Sequence, residues 1–250
     1  LKRISQQQDR AGEIHTFWSM AVSGNIAPNS QTLSAIRKTI EKVQNPHAFD
    51  PSLARWYAMP GTADALGAGA SGDIWHVGGG GSLYVANAQN DGRWRKVAGS
   101  GVVQVAAMDT PGMAFLLMTD GSMRRIADGK MTRIDGKASA IAYGGGVMWH
   151  IGGNNSIYRS TGGAWQRVNG SAKRIAAVPG GGALAVGTDD KIYLFDGASW
   201  TNLPGTARDV AVGPDGVSWY VDPAYTLHRM TGLRAWKKFS AGNIANIAAG

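Results

Sequence analysis

Two histidines occupy the same local setting, Trp75-His76-Val77-Gly78-Gly79 and Trp149-His150-Ile151-Gly152-Gly153. Imidazoles at repeated positions can titrate near neutral pH, contact a ligand or hold a metal. The repetition says first that the two share a structural environment. In a strand, the residue after an inward tryptophan turns to the opposite face, so His76 and His150 are expected as polar residues packed between sheets, with ligand contact as the sharper alternative. His15, His47 and His228 stand apart, and no His-Glu-x-x-His helix or compact His/carboxylate set is present, which leaves a hydrolytic metal site without support. Asp73, Asp91, Asp120, Asp128, Asp189, Asp190, Asp196 and Asp215 fall among turn residues. There a short carboxylate caps nearby backbone N–H groups, with no catalytic role required. No loop carries the alternating oxygen ligands of a calcium-binding EF-hand. There is no Gly-x-Ser-x-Gly nucleophile turn, and no glycine cluster is followed by the Lys-Ser/Thr of a phosphate cradle. Cysteine is absent, which removes thiolate nucleophiles, disulfides and thiolate metal ligands. The sequence therefore predicts a non-catalytic protein with no metal and no cofactor.

Polar residues at turns and strand ends suit binding better: Asn154, Asn155, Arg159, Asp189, Asp190, Lys191 and Arg229, together with His76 and His150. With an exposed aromatic face beside them, such groups could exchange hydrogen bonds with sugar hydroxyls, and equivalent spacing would let several weak sites act together. The formal charge of +8 and pI near 9.8 favour an anionic partner, either a glycan or surface polymer or an acidic protein. The basic residues are dispersed, with small groups such as Arg124-Arg125 and Lys237-Lys238, which argues against a nucleic-acid stripe. No apolar run approaches twenty residues, so no transmembrane helix is expected. Leu1 is not an initiating methionine, consistent with a processed chain and a secreted or cell-surface location.

The elements that must position these residues follow a repeat. Trp56, Trp94, Met131, Trp165, Trp200 and Trp236 mark one phrase at intervals of 38, 37, 34, 35 and 36 residues, the signature of a repeated supersecondary unit. Each interval runs from a small-residue apolar segment through a Gly/Asp turn to a segment centred on Trp75, Phe115, Trp149, Leu184 or Trp219. Short segments beginning near Ser82, Ser122, Ser156, Lys191 and Thr226 follow, and then the marked phrase. Alternation over four to six residues between turn residues predicts four short antiparallel strands per unit, with no room for a crossover helix. The 36 glycines are clustered at the turns, as this pattern requires.

Residues 1–55 depart from the repeat. Leu33, Ile36, Ile40 and Val43 recur at helical spacing before Asn45-Pro46, which predicts a helix over about 32–44 packed on or completing the main domain at 56–250. Gly242 to Gly250 reads as the first strand of a sixth unit, and Trp56 as the last strand of one whose start is missing. The expectation is an all-β, six-bladed propeller of four-stranded antiparallel blades, closed by pairing of the N- and C-terminal segments. The marking tryptophans would fill the wider outer space between blades.

The phrases at Ala106–Ile134, Ala140–Val168, Ile175–Leu203 and Val210–Phe239 resemble tectonin-type β-propeller repeats. The resemblance implies a lectin-like or interaction propeller with ligands at loops and strand ends, some relatives recognising surface glycans or lipopolysaccharide. A glycan or lipopolysaccharide-binding module is accordingly the leading expectation. The alternative is a protein-interaction scaffold in a secreted or membrane-associated assembly, with residues 1–55 as an arm for a protein partner.

Overall fold

The computed structural model describes residues 62–86, 93–160, 162–232, 234–240 and 244–249. The helix expected near 32–44 and the strand expected at Trp56 lie outside them.

Nineteen strands account for almost all regular structure in the described residues. The first sheet contains β1 (Ala65–Ala68), β2 (Ile74–Gly78), β3 (Ser82–Ala86) and β4 (Arg95–Ala98). The second contains β5 (Val102–Ala107), β6 (Ala114–Met118), β7 (Ser122–Ala127) and β8 (Lys130–Lys137). Next come β9 (Ala140–Gly144), β10 (Val147–Ile151), β11 (Ser156–Ser160) and the long β12 (Gln166–Val178), followed by β13 (Gly182–Gly187), β14 (Lys191–Phe195) and β15 (Trp200–Thr206). The last sheet is β16 (Asp209–Val212), β17 (Ser218–Val221), β18 (Leu227–Gly232) and β19 (Ala235–Ser240). Within every sheet neighbours in sequence are neighbours in space, and every pairing is antiparallel.

β9 to β15 form one seven-stranded sheet because β12 serves two units. Its first part pairs with β11 and its second with β13, and both pairings shift register near residues 169–174. Gly170 sits at that point with φ 113°, a conformation that favours glycine. The outer strand of one unit thus runs into the inner strand of the next without a break. Counted by units, five four-stranded blades follow one another, the third being β9 to the start of β12 and the fourth the rest of β12 to β15.

Hydrophobic clusters lie between successive blades. Trp75, Leu83 and Val85 of the first pack with Val102, Val105 and Leu116 of the second. Met123 and Leu117 pack with Ile141 and Met148, Trp149 and Ile157 with Ala183, Ala185 and Phe195, and Leu184 and Ile192 with Val210 and Tyr220. A short sheet with two apolar faces is buried only when flanked on both sides, which radial stacking achieves. This is an all-β, propeller-like architecture. The expected second-strand positions Trp75, Phe115, Trp149, Leu184 and Trp219 all fall in the second strand of their blade.

Two of the marking tryptophans, Trp165 and Trp200, join blades through a polar atom as well as by filling space. Trp165 Nε1 donates to the Asp135 carbonyl of β8 at 3.0 Å, and Trp200 Nε1 to the Asn169 carbonyl in the third blade at 2.7 Å. Each reaches the outer strand of the preceding blade. The bulged outer strand offers a free carbonyl to each indole N–H.

Candidate functional site

In the second to fifth blades the turn between the second and third strands is a latch. Asp120 accepts the Ser122 N–H at 2.9 Å, Asn154 that of Ser156 at 3.2 Å, Asp189 that of Lys191 at 3.2 Å and Asp222 that of Thr226 at 2.8 Å. The side-chain oxygen replaces a backbone partner and tightens the turn. The chain enters positive φ one residue later at Gly121, Asn155 and Asp190, and three residues after Asp222 at Tyr225. The carbonyl of each then accepts an N–H from the chain entering the next blade, donated by Ala138, Ala172, Ala207 and Ile244 respectively, at 2.9 to 3.2 Å. Sequence alone shows the turn residues but not this inter-blade bond.

Behind the turns a second device recurs. In the first, third and fifth blades, directly opposed residues of the second and third strands carry stacked rings. His76 lies 4.7 Å from Tyr84, His150 4.8 Å from Tyr158, and Tyr220 4.5 Å from His228. The closing tryptophan presents its edge or face to the middle ring in each case: Trp94 at 4.3 Å, Trp165 at 4.2 Å and Trp236 at 4.7 Å. Offset-stacked and T-shaped pairs are the favoured aromatic geometries.

In the fourth blade the equivalent trio is Ala185, Tyr193 and Trp200, with Ala185 directly opposite Tyr193. A cavity of about 380 Å³ lies there, lined by Ala185, Tyr193, Trp200, Gly170, Ser171 and Asp189 among others. Tyr193 is tied by its hydroxyl to Asp189 Oδ2 at 2.9 Å, and that bond holds the phenol above its ordinary titration range.

A separate channel of about 370 Å³ is lined by the first strands β1, β5, β9, the inner part of β12, and β16, together with Asn246 to Ala249. Six inner segments share it. Polar side chains stitch adjacent ones: Gln104 exchanges two bonds of 3.0 Å with the Ile141 backbone, and Asp209 Oδ2 accepts the Ile247 N–H at 3.0 Å. Burial pushes the Asp209 carboxyl up, against the opposing pull of that N–H.

The residues singled out from sequence are distributed among these devices. Asn154, Asn155, Asp189, Asp190 and Lys191 lie in or beside the latch turns of the third and fourth blades. Asp190 pairs with Lys173, and Lys191 Nζ is 3.7 Å from Asp189. Arg159 lies over the Phe195 ring at 5.6 Å, and Arg229 over Trp219 at 5.6 Å. His76 and His150 sit inside the ring stacks, 8% and 4% exposed. Sequence reasoning passed over Ala185, Tyr193 and Trp200 as a group. The signal was present in the residue after each second-strand centre, which reads His76, Leu116, His150, Ala185, Tyr220.

Burial lowers the pKa of His150 from 6.5 to about 4 and that of His76 in the same direction. The unfolded chain therefore takes up a proton near pH 6.5 that the folded chain resists. The contribution of His150 to stability is complete above pH 6.5 and is lost as pH falls toward 4. At 1.36 kcal/mol per unit, the loss between pH 7.5 and 4.5 is about 2.5 kcal/mol. Urea unfolding at the two pH values should show the drop in the parent and a drop smaller by about that amount in His150→Phe. Equal drops would refute the assignment.

Among the described residues, no group of three or more His, Cys, Asp or Glu side chains could hold a metal ion, and no helix is long and apolar enough to cross a membrane. Successive four-stranded antiparallel blades packed face to face define a β-propeller-type fold. Residues 171–250, covering most of the fourth and all of the fifth described blade, match the Tectonin domain family model, which assigns that segment to the tectonin repeats.

Solved structures agree on the fold. YCF48 from Cyanidioschyzon merolae matches with a TM-score of 0.51 at 14% identity, covering 74% of this chain and 75% of that one. U3-55K matches with a TM-score of 0.57 at 10% identity over 73% and 66%, and a chain of a mitotic checkpoint complex with 0.53 at 13% identity over 73% and 68%. No curated protein matches the chain in sequence.

Proposed function

We propose that this propeller is a non-catalytic protein-interaction module that engages an acidic polypeptide through the outer strands of its second blade. The observation that carries this reading is the direct cross-strand pairing of Arg124 with Arg133. Opposed like charges destabilise a strand pair, and neither arginine forms an ion pair among the described residues. Arg125, Lys130 and Lys137 are the other exposed basic residues of this hairpin, Arg125 on the opposite face of β7 from Arg124, against Asp128 and Asp135 alone. A surface that retains such a cluster at a cost in stability is suited to a partner that neutralises it.

The glycan reading expected from the tectonin resemblance takes second place. Its candidate polar groups Asn154, Asp189 and Asp190 are already bonded to their own turns or neighbours. The likeness to a chain that works within a mitotic checkpoint complex is in keeping with a protein partner.

The decisive comparison is binding of an oligoglutamate peptide, a glycan panel and lipopolysaccharide at low and physiological salt. The peptide is expected to bind saturably and to weaken at least about tenfold in the Arg124→Glu/Arg133→Glu double variant, consistent with a loss near 1.4 kcal/mol or more. Salt-resistant binding dependent on sugar identity, with no peptide binding, would instead favour the lectin. For the fold, we infer a ring of six blades completed by the N-terminal segment. The 34 to 38-residue spacing of the marks and the segment Asn246 to Ala249 beside the five inner strands support it, although residues 244–249 form no strand of their own.

A further inference from the structure

We infer that the cavity in the fourth blade is a slot for one tyrosine or histidine side chain presented by a partner polypeptide. It rests on the protein-interaction reading for the source of the ring, but uses a surface distinct from the basic patch.

The chain itself shows what fits. At the same strand position, His76, His150 and Tyr220 each insert a ring between a third-strand ring and a closing tryptophan. Ala185 supplies a methyl group there, while Tyr193 and Trp200 remain as the two walls. The next interface gives the closest comparison. The Tyr220 hydroxyl would lie 3.1 Å from a Cβ added to Gly205, the outer-strand glycine of the fourth blade. The corresponding glycine of the third blade, Gly170, lines the cavity, and the nearest atom to a Cβ added there is Trp200 Nε1 at 3.4 Å. The ring that fills one interface has no counterpart in the other.

Both walls are already held in place. Trp200 is held through Nε1 to the Asn169 carbonyl, and Tyr193 through its hydroxyl to Asp189. An entering ring therefore meets surfaces that need no ordering, and less binding energy is lost to immobilisation. The cavity volume lies at the lower end of the range of about 300–1,000 Å³ typical of ligand pockets. The Asp189 carboxylate at the lining offers an acceptor for a phenol O–H or imidazole N–H. In the fifth blade Asp222 holds the equivalent wall ring, His228, through Nε2 at 2.9 Å.

The test uses the full chain, with the Trp200 indole N–H followed by NMR during titration with p-cresol, 4-methylimidazole, Gly-Tyr-Gly and methyl glucoside. Saturable shifts with a ring probe are expected, with a Kd on the order of millimolar, and Ala185→Tyr and Ala185→His should abolish them by supplying the ring internally. Tyr220→Ala opens the equivalent space in the fifth blade and should create a second response, at the Trp236 indole. Absence of any ring-dependent shift in the parent chain would overturn the proposal whether or not the variants fold. So would a response retained in folded Ala185→Tyr, or one produced by the glucoside alone, which would mark a sugar subsite. The Arg124→Glu/Arg133→Glu variant should keep the Trp200 response, so failure of the acidic-partner reading and failure of the slot are separable.

Discussion

Replacing Trp149 by alanine is expected to destabilise the protein by about 3–5 kcal/mol, the range for removing a buried aromatic side chain. Trp149 is 0% exposed and packs at the centre of the cluster joining the third and fourth blades, with Phe195 5.7 Å away in a T-shaped arrangement. The equivalent position in the fourth blade is Leu184, also fully buried, so the site needs bulk rather than an indole in particular. Trp149→Phe should recover more than half of the loss. Urea unfolding at pH 7.5 measures both, and hydrogen exchange locates the damage. Protection should fall first in β10 and β13, on either side of the cavity, and last in β2 and β3. A loss below about 1 kcal/mol would mean that the blades are not stabilised by face-to-face packing.

That prediction was legible in sequence because it depends on local pattern. The Trp149 strand is a short, mostly apolar run bounded by Gly144 to Gly146 and Gly152-Gly153, and it recurs with Trp75 and Trp219 at the same place in the repeat. Period and turn chemistry suffice to place such residues in second strands. What escaped depends on register between strands or on contact between blades. Arg124 and Arg133 are nine residues apart and become neighbours only through the β7–β8 pairing. The continuity of β12 could not be read from Asn169-Gly170, because a turn and a bulge use the same residues. His76 and His150 were recognised as equivalent, yet their stacking partners Tyr84 and Tyr158 emerge only from cross-strand geometry. The vacancy at Ala185 is harder still, since a small apolar residue in an apolar strand carries no signal until its counterparts are aligned.

Deleting Asn243 to Gly250 is expected to have an effect of similar size, about 4 kcal/mol, through a different mechanism. Two backbone donors would be lost, from Ile244 to the Tyr225 carbonyl and from Ile247 to Asp209, each contributing about 1 kcal/mol. Two half-buried isoleucines, Ile244 and Ile247, would go with them at roughly 1 kcal/mol each. For a domain of this size the sum corresponds to a fall in Tm of roughly 8–16 °C. It would also open the lining of the axial channel beside β16, which Asn246 to Ala249 now share. The fifth blade should therefore lose exchange protection before the others, as expected if the proposed ring is opened to leave an unpaired edge. Ile247→Pro removes the N–H that Asp209 accepts together with the Ile247 side chain, while leaving Ile244 and its bond in place. A loss of about 1–2 kcal/mol from that variant, against about 4 from the deletion, would make the sixth inner segment a working part of the ring. A truncated protein that keeps the melting curve of the full chain would show that five blades stand without it, and the six-bladed reading would fail.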